Sequence, residues 1–553
     1  VRLLLLACSV ALATATGCSS CAKASPGPPA EASVSTPPPV AEPAGLLAQV
    51  WVRAPDALWA RIQNGVSGAA ALMPSDAGSL LCAATGLDAA VGPLVDGKAG
   101  AFVVVAGAPA GSGLGWAAAV PLKDGARVAS ILLPADAGPA RTSARDDQGM
   151  RVLSREGHAL TPAVALAQGW LVVASSEADL SRLGPYAYRT MPAVAAPAQR
   201  SSVVAVLSQE ALGARVAAGW DQARAWLSAR DREQRERHGG RAPDFGDPQA
   251  ILDAADVVVK RRIALLSGAR AATLELEAGD DDLRADLRLD PSPPAEGGAA
   301  LAAMTPGDAR PLADVPADAA LALLVRDGAT SRADDARELE AALASALGPR
   351  ERDDDRKAVA KAIDAWAASR GDWLTASLSW GSPRAVTLQS PGGDDAARAL
   401  RGLVDLAARP AFAGLLRATF DLGPPSLVPA HVDGWTDASL ATFGARSALG
   451  VAWGVRSDRL VAVAAEHADQ RLSGQPGELG DDPRVARALG ALGSDVTLVL
   501  LSEPLRLDAG RAASAAAHSP ALLAWGRRDG GAWLRVDVGD ELLREVVRLQ
   551  TGL

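Results

Sequence analysis

Two stretches of the chain read alike, and that repetition constrains the fold more than any other feature. Leu171-Val172-Val173-Ala174-Ser175-Ser176-Glu177, followed by Arg182-Leu183, returns 289 residues later. There it reads Leu460-Val461-Ala462-Val463-Ala464-Ala465-Glu466, followed by Arg471-Leu472. Each copy is an apolar run that enters a short helical pattern, so each reads as a strand followed by a helix. Residues 203–208 are echoed by 497–502, 101–105 by 373–377, and 116–120 by 385–388, all in the same order. Four echoes in one order make internal duplication the reading that explains them together.

Both halves close with a hairpin. Leu274 and Leu276 alternate with charge, Gly279-Asp280-Asp281-Asp282 turns, and Leu283, Ala285, Leu287 and Leu289 alternate back. In the second half Asp529-Gly530 is a strong two-residue turn, and Leu534, Val536 and Val538 alternate after it. Trp525 and Trp533 are expected to face each other across that hairpin. Period-two alternation gives each sheet one buried and one wet face. Helices are expected around 56–62, 80–94, 124–133 and 394–408. Leu339, Leu343 and Leu347 lie four apart before Gly348-Pro349, and Val359, Ile363 and Trp366 share one face of the next helix. The expected fold class is α+β: two tandem similar repeats, each an antiparallel or mixed β-sheet with helices packed on one face. The first repeat spans 45–290 with a helical insertion at about 213–267, a linker covers 291–312, and the second repeat spans 313–553.

The first 44 residues do not belong to either repeat. One arginine, Arg2, precedes an apolar run to Ala15, a pattern of a secretory signal over 1–17. Ala15-Thr16-Gly17-Cys18-Ser19-Ser20 resembles the lipobox of bacterial lipoproteins, in which small residues precede a cysteine that is acylated and becomes the mature N-terminus. By that resemblance Cys18 is the lipid attachment site, with palmitate among its acyl chains. Ser19, rather than Asp, implies sorting to the outer membrane. The alternative for Cys18 is a disulfide with Cys21 or Cys82. Residues 18–44 are rich in Ala, Pro and Ser, a composition that cannot bury a core and reads as a tether. The chain as a whole resembles uncharacterised lipoproteins of Gram-negative bacteria that carry a lipobox, a Pro/Ala tether and a duplicated α+β body. Openings such as Val315-Pro316-Ala317-Asp318-Ala319-Ala320-Leu321 share in that resemblance.

Composition enters through what it excludes. With 55 Lys and Arg against 64 Asp and Glu the chain is acidic, which argues against a nucleic-acid partner. Four cysteines rule out a disulfide scaffold. The five histidines, His158, His238, His431, His467 and His518, form neither His-Glu-x-x-His nor a metal-ligand cluster. No phosphate-binding Gly-x-x-x-x-Gly-Lys loop occurs. Gly111-Ser112-Gly113-Leu114-Gly115 has the wrong glycine spacing for a dinucleotide turn and reads as a hairpin loop. No catalytic, cofactor-binding or metal-binding residue is therefore assigned. The expectation is a non-catalytic, lipid-anchored envelope protein, a binding or structural module for an apolar ligand or an envelope protein. The alternative is an envelope hydrolase, for which His431, Asp433 and Ser208 are the candidates.

Overall fold

The structure is a computed structural model that describes residues 38–65, 74–107, 113–133, 142–155, 158–194, 201–237, 269–278, 282–291, 304–347, 352–380, 384–444, 449–474, 477–503 and 520–539, with isolated positions at 252–263, 301 and 542. These residues form two compact units. The first takes the chain up to Leu212 together with Ala271–Leu287 and Val538–Leu553; the second takes Gly213–Arg270 and Arg288–Asp537. Most of the helical insertion thus packs with the second unit, although it interrupts the chain of the first.

The first unit is built on β1 (Leu46–Val52), β2 (Ala101–Gly107), β3 (Leu114–Pro121), β4 (Thr142–Asp147), β5 (Met150–Arg155), β6 (His158–Ala167), β7 (Trp170–Ala174), β8 (Val203–Ser208), β9 (Ala269–Ala278) and β10 (Asp282–Pro291). Its strand order is β9-β8-β1-β2-β3-β7-β6-β5-β4, antiparallel throughout. Between the strands lie α1 (Pro55–Gly65), α2 (Ala77–Thr85), α3 (Gly125–Leu132) and α4 (Glu177–Pro185). Asp76, Asp124 and Ser176 start the last three by accepting backbone N–H bonds, as N-cap residues do. This sheet is apolar on both faces. Trp51, Val104, Ala106, Ala117 and Ala119 meet α4 and the turn Tyr186–Thr190 after it. On the opposite face Leu153, Val164, Leu171 and Val173 meet Cys82 of α2 and Val128 and Leu132 of α3. Val40 also joins the first cluster and exchanges two hydrogen bonds of 2.9 Å with the Thr190 hydroxyl. The end of the expected tether therefore belongs to the fold.

Helix α5 (Gln209–Arg237) leaves β8 and runs into the second unit. That unit contains β11 (Ala319–Arg326), α6 (Ala329–Leu347), α7 (Asp353–Ser369), β12 (Trp373–Ser379), β13 (Ala385–Pro391), α8 (Gly393–Ala407), α9 (Pro410–Phe420), β14 (Pro425–Pro429), β15 (Thr436–Phe443), β16 (Leu449–Arg456), β17 (Arg459–Glu466), α10 (Ala468–Ser473), α11 (Pro483–Gly490), β18 (Val496–Ser502), β19 (Ala521–Arg528) and β20 (Gly531–Gly539). The strand order is β19-β18-β11-β12-β13-β17-β16-β15-β14, again antiparallel at every ladder. The architecture is α+β with extensive antiparallel sheet. Each sheet has the same order of connection.

Most helices expected from periodicity form where expected. Val359 and Ile363 of α7 are buried with Leu406 of α8 and Phe412 of α9, while Leu339 of α6 is exposed. The two meanders β4–β6 and β14–β16 have no counterpart in the sequence reading. Trp525 and Trp533 do not face each other. The Asp529-Gly530 turn places Trp533 opposite Gly526, where a Cβ would lie 2.6 Å from its ring. Trp525, one residue earlier, pairs with Leu498 and projects to the other face.

Candidate functional site

The second sheet carries an inversion on β12 and β13. Along Trp373-Leu374-Thr375-Ala376-Ser377-Leu378-Ser379 every second residue is buried, and after Trp373 the buried set is Thr375, Ser377 and Ser379. Their cross-strand partners include Gln389 opposite Thr375 and Thr387 opposite Ser377, both buried. The covered face of these two strands is thus polar. Over the adjoining β11 and β18, the chain before β11 packs on that face through Ala309, Leu312 and Val315, with Leu479 and the α11 residues Val485 and Leu489.

Some of the polar groups are paired. Gln389 Nε2 donates to the Asp314 carbonyl at 3.1 Å, and Ser379 Oγ donates to Asp318 Oδ1 at 2.8 Å. Arg471 of α10 donates to both Asp318 oxygens, one at 2.6 Å, and to Ser379 Oγ at 3.2 Å. Thr375 Oγ1, Ser377 Oγ and Arg471 Nε are buried without a hydrogen-bond partner among the described residues. An orphaned buried hydroxyl costs about 1–3 kcal/mol, so this face is the dearer one to bury.

The other face of the same strands holds the leucines. Leu321, Leu323 and Val325 of β11, and Leu374, Ala376 and Leu378 of β12, are half-exposed. Leu498 of β18 and Leu523 and Trp525 of β19 are half-exposed as well, and Leu500 is 37% exposed. Val386 of β13 is 41% exposed. Helix α8 and Trp366 of α7 cover the continuation of this face, over Leu388, Leu460 and Ala462. The row ends at Trp380, which Arg384 caps with its guanidinium carbon 4.3 Å from the ring centroid. An apolar surface of this extent, half-exposed over four neighbouring strands and ending in a Trp–Arg pair, has the chemistry of a contact site for an apolar or amphiphilic partner.

The sequence candidates lie elsewhere. His431 Nε2 stands 3.7 Å from Asp433 Oδ1 in the β14–β15 connection, at 97% and 103% side-chain exposure. Ser208 ends β8 in the first unit, half-exposed. His467 starts α10 with a φ of 54°. Cys18, His238 and His518 lie outside the described residues. Cys82 is a buried free thiol whose pKa is pushed up to about 11 by burial and by Asp76 and Asp88, which makes it a poor nucleophile. Among the described residues no group of three or more His, Cys, Asp or Glu is placed to hold a metal ion. No described helix is long and apolar enough to cross a membrane.

The arginines of the repeated motif hold equivalent places. Arg182 Nη1 donates to the Gly107 carbonyl, at the end of β2, at 2.8 Å, and its Nη2 pairs with Asp179 at 3.0 Å. Arg471 reaches Ser379, at the end of β12, and Asp318, just before β11. Burial alone would push the Asp179 carboxyl up. Hydrogen bonds from Ser175, Ser176 and Arg182, with the charge of Arg182, hold it below the ordinary carboxylate value.

No family model and no curated protein matches the chain. Among solved structures, crystal forms IV, III and I of TP0453 match at 10%, 10% and 12% identity. They cover 43%, 42% and 43% of this chain, and 98%, 97% and 96% of TP0453. The TM-scores of 0.20, 0.18 and 0.19 carry no argument about fold or function.

Proposed function

We propose that this protein is a lipid-anchored, non-catalytic lipoprotein of the bacterial envelope, and that it works as a binding module for an apolar ligand. The observation that carries the binding function is the outward leucine face of β18, β11 and β12. Strand β12 buries hydroxyls, all three strands leave leucines at least partly exposed on the other face, and burying those leucines on a ligand recovers about 25 cal/mol per Å² of apolar surface. The anchor rests on the lipobox resemblance at Cys18 and on the Ala/Pro/Ser tract after it. Attachment through Cys18, with sorting to the outer membrane, would hold the body at a membrane surface.

Duplication belongs to the same reading. Supporting it are the identical strand orders and the motif shared at 289 residues, with Arg182 and Arg471 tying equivalent strand ends. Following the ladders outward from that motif pairs Ala117 with Thr387 and Val104 with Ser377. The 101–105/373–377 correspondence read from sequence is therefore one residue out of step. A one-residue slip exchanges the faces of a strand, so the ladders carry the alignment that matters.

Native mass spectrometry of the gently extracted protein tests the ligand. A co-purified hydrophobic adduct that is lost on organic extraction is the expected result. A clean apo mass in every preparation counts against a ligand carrier. Labelled palmitate should enter the protein and be lost with Cys18→Ala; label that survives this change removes the anchor assignment.

A further inference from the structure

We infer that the occupant of the outward face of the second sheet is a single-chain anionic amphiphile, its tail along β12 and its head at Arg384. The inference rests on the binding function proposed above and deepens it by naming the ligand chemistry. Three observations converge on it.

The first is shape. The β12 row Leu374, Ala376 and Leu378, continued by Trp380 just past the end of the strand, is flanked by Leu323 of β11 and Val386 of β13. Six residues of strand advance about 20 Å, which matches an extended acyl chain of about sixteen carbons. The second is the partial cover. These side chains are half-exposed rather than open, apart from Val386, as suits a lined track for one chain more than a flat surface laid on a bilayer.

The third is charge at one end of the track. Arg384 is exposed, stacks on Trp380 at 4.3 Å, and makes no ion pair among the described residues. A tryptophan beside an unpaired arginine offers an apolar ring to the first methylenes of a chain and a fork of N–H donors to a carboxylate or phosphate. The opposite end differs. There Arg326 is already engaged with the Asp308 carbonyl at 2.9 Å, with Asp308 Oδ1 at 3.3 Å and with Asp372 at 3.4 Å. Among the described residues at the two ends of the row, Arg384 is therefore the cation left for a headgroup, and it lies beyond Leu378.

Titration calorimetry on the full chain, with dodecanoate and dodecyltrimethylammonium as monomers, separates tail from head. The two probes share a chain and differ in the sign of the head. Dodecanoate is expected to bind at least tenfold tighter. Arg384→Gln should remove that advantage and leave the cationic probe unchanged, whereas Arg384→Lys keeps most of it. Val386→Asp should weaken both probes tenfold or more, with a melting temperature close to the parent because the position is exposed. Equal binding of the two heads, or an Arg384→Gln variant with unchanged preference, overturns the headgroup inference and leaves apolar binding standing. Failure of both probes overturns the apolar-ligand function itself. Binding to phosphatidylglycerol vesicles without binding to monomeric dodecanoate overturns the single-chain occupant in favour of a membrane surface.

Discussion

Strands β2–β3 and β12–β13 occupy the same place in two sheets of identical order, yet they bury opposite chemistry. The covered face of the first pair is Val104, Ala106, Ala117 and Ala119, packed on α4 and the turn after it. The covered face of the second is Thr375, Ser377, Ser379, Thr387 and Gln389, with Trp373 and Ala385 at its ends. The first sheet has apolar residues against cover on both sides, so its stability comes from ordinary burial. The second buries hydroxyls on β12 and β13, beside Ala322, Leu324, Val499 and Leu501 on the same face of β11 and β18, and leaves other leucines half-exposed on the opposite face. One topology therefore carries an apolar covered face on β2–β3 and a largely polar one on β12–β13.

The polar interior of the second unit extends to the end of β11. There the buried Asp327 carboxylate takes Arg370, through one bond of 3.1 Å and a second closer one, and Arg332 at 3.5 Å. Arg370→Ala leaves that carboxylate buried and short of its main partner, and should cost about 3–5 kcal/mol. Chemical denaturation of the variant checks it; a loss under about 1 kcal/mol would show the second interior to be more solvated than its burial implies.

Moving the chemistry of one sheet into the other comes next in size. Val104→Ser places a hydroxyl and a small void in the closed core of the first unit and should destabilise it by about 2–4 kcal/mol. If it does not, the contrast between the two covered faces has no energetic meaning. The reverse exchange is smaller and opposite in sign. Thr375→Val keeps the shape, removes an unpartnered hydroxyl, and should stabilise by about 1 kcal/mol. A raised midpoint in urea is the expected readout, and a lowered one would mean that the hydroxyl has a partner in solution.

The smallest effect concerns the arginine latch. Because the Asp179 carboxyl sits below its ordinary value in the folded protein, its contribution is fully present above the unfolded value and lost as pH falls through the folded one. Asp179→Asn should therefore lower the melting temperature slightly at neutral pH and flatten its decline in acid. Melting curves at stepped pH measure both, and an unchanged acid limb would remove Asp179 from the latch.

Much of this organisation was readable in the residues. The strand-helix motif at 171 and 460, the closing hairpins and the helices with Leu or Val every third or fourth residue all rest on periodicities that act within a few residues. Asp76, Asp124 and Ser176 mark helix starts by accepting from N–H groups three residues on, so their signal is local too. The meanders β4–β6 and β14–β16 were not readable. Stretches such as Thr142–Asp147 and Pro425–Pro429 are polar, short or proline-bounded edge segments, and their strand character comes from pairing with a neighbour. The candidates His431, Asp433 and Ser208 stood out because histidine is scarce, and scarcity carries no geometry. The outward face could not be found this way, since leucines in a strand normally signal a core.

The sequence by itself determined where most helices and the apolar strands lie, that the strand-helix motif at 171 recurs at 460, and that the chain is acidic and carries a lipobox-like cysteine. Only the tertiary structure decided which side of β12 is inside. Leu374-Thr375-Ala376-Ser377 alternates the same way whichever face is covered, and the cover comes from Leu312, Val315, Leu479 and Val485, far from β12 in the chain. Alternation is a property of a few neighbouring residues; burial belongs to the segments that arrive from elsewhere.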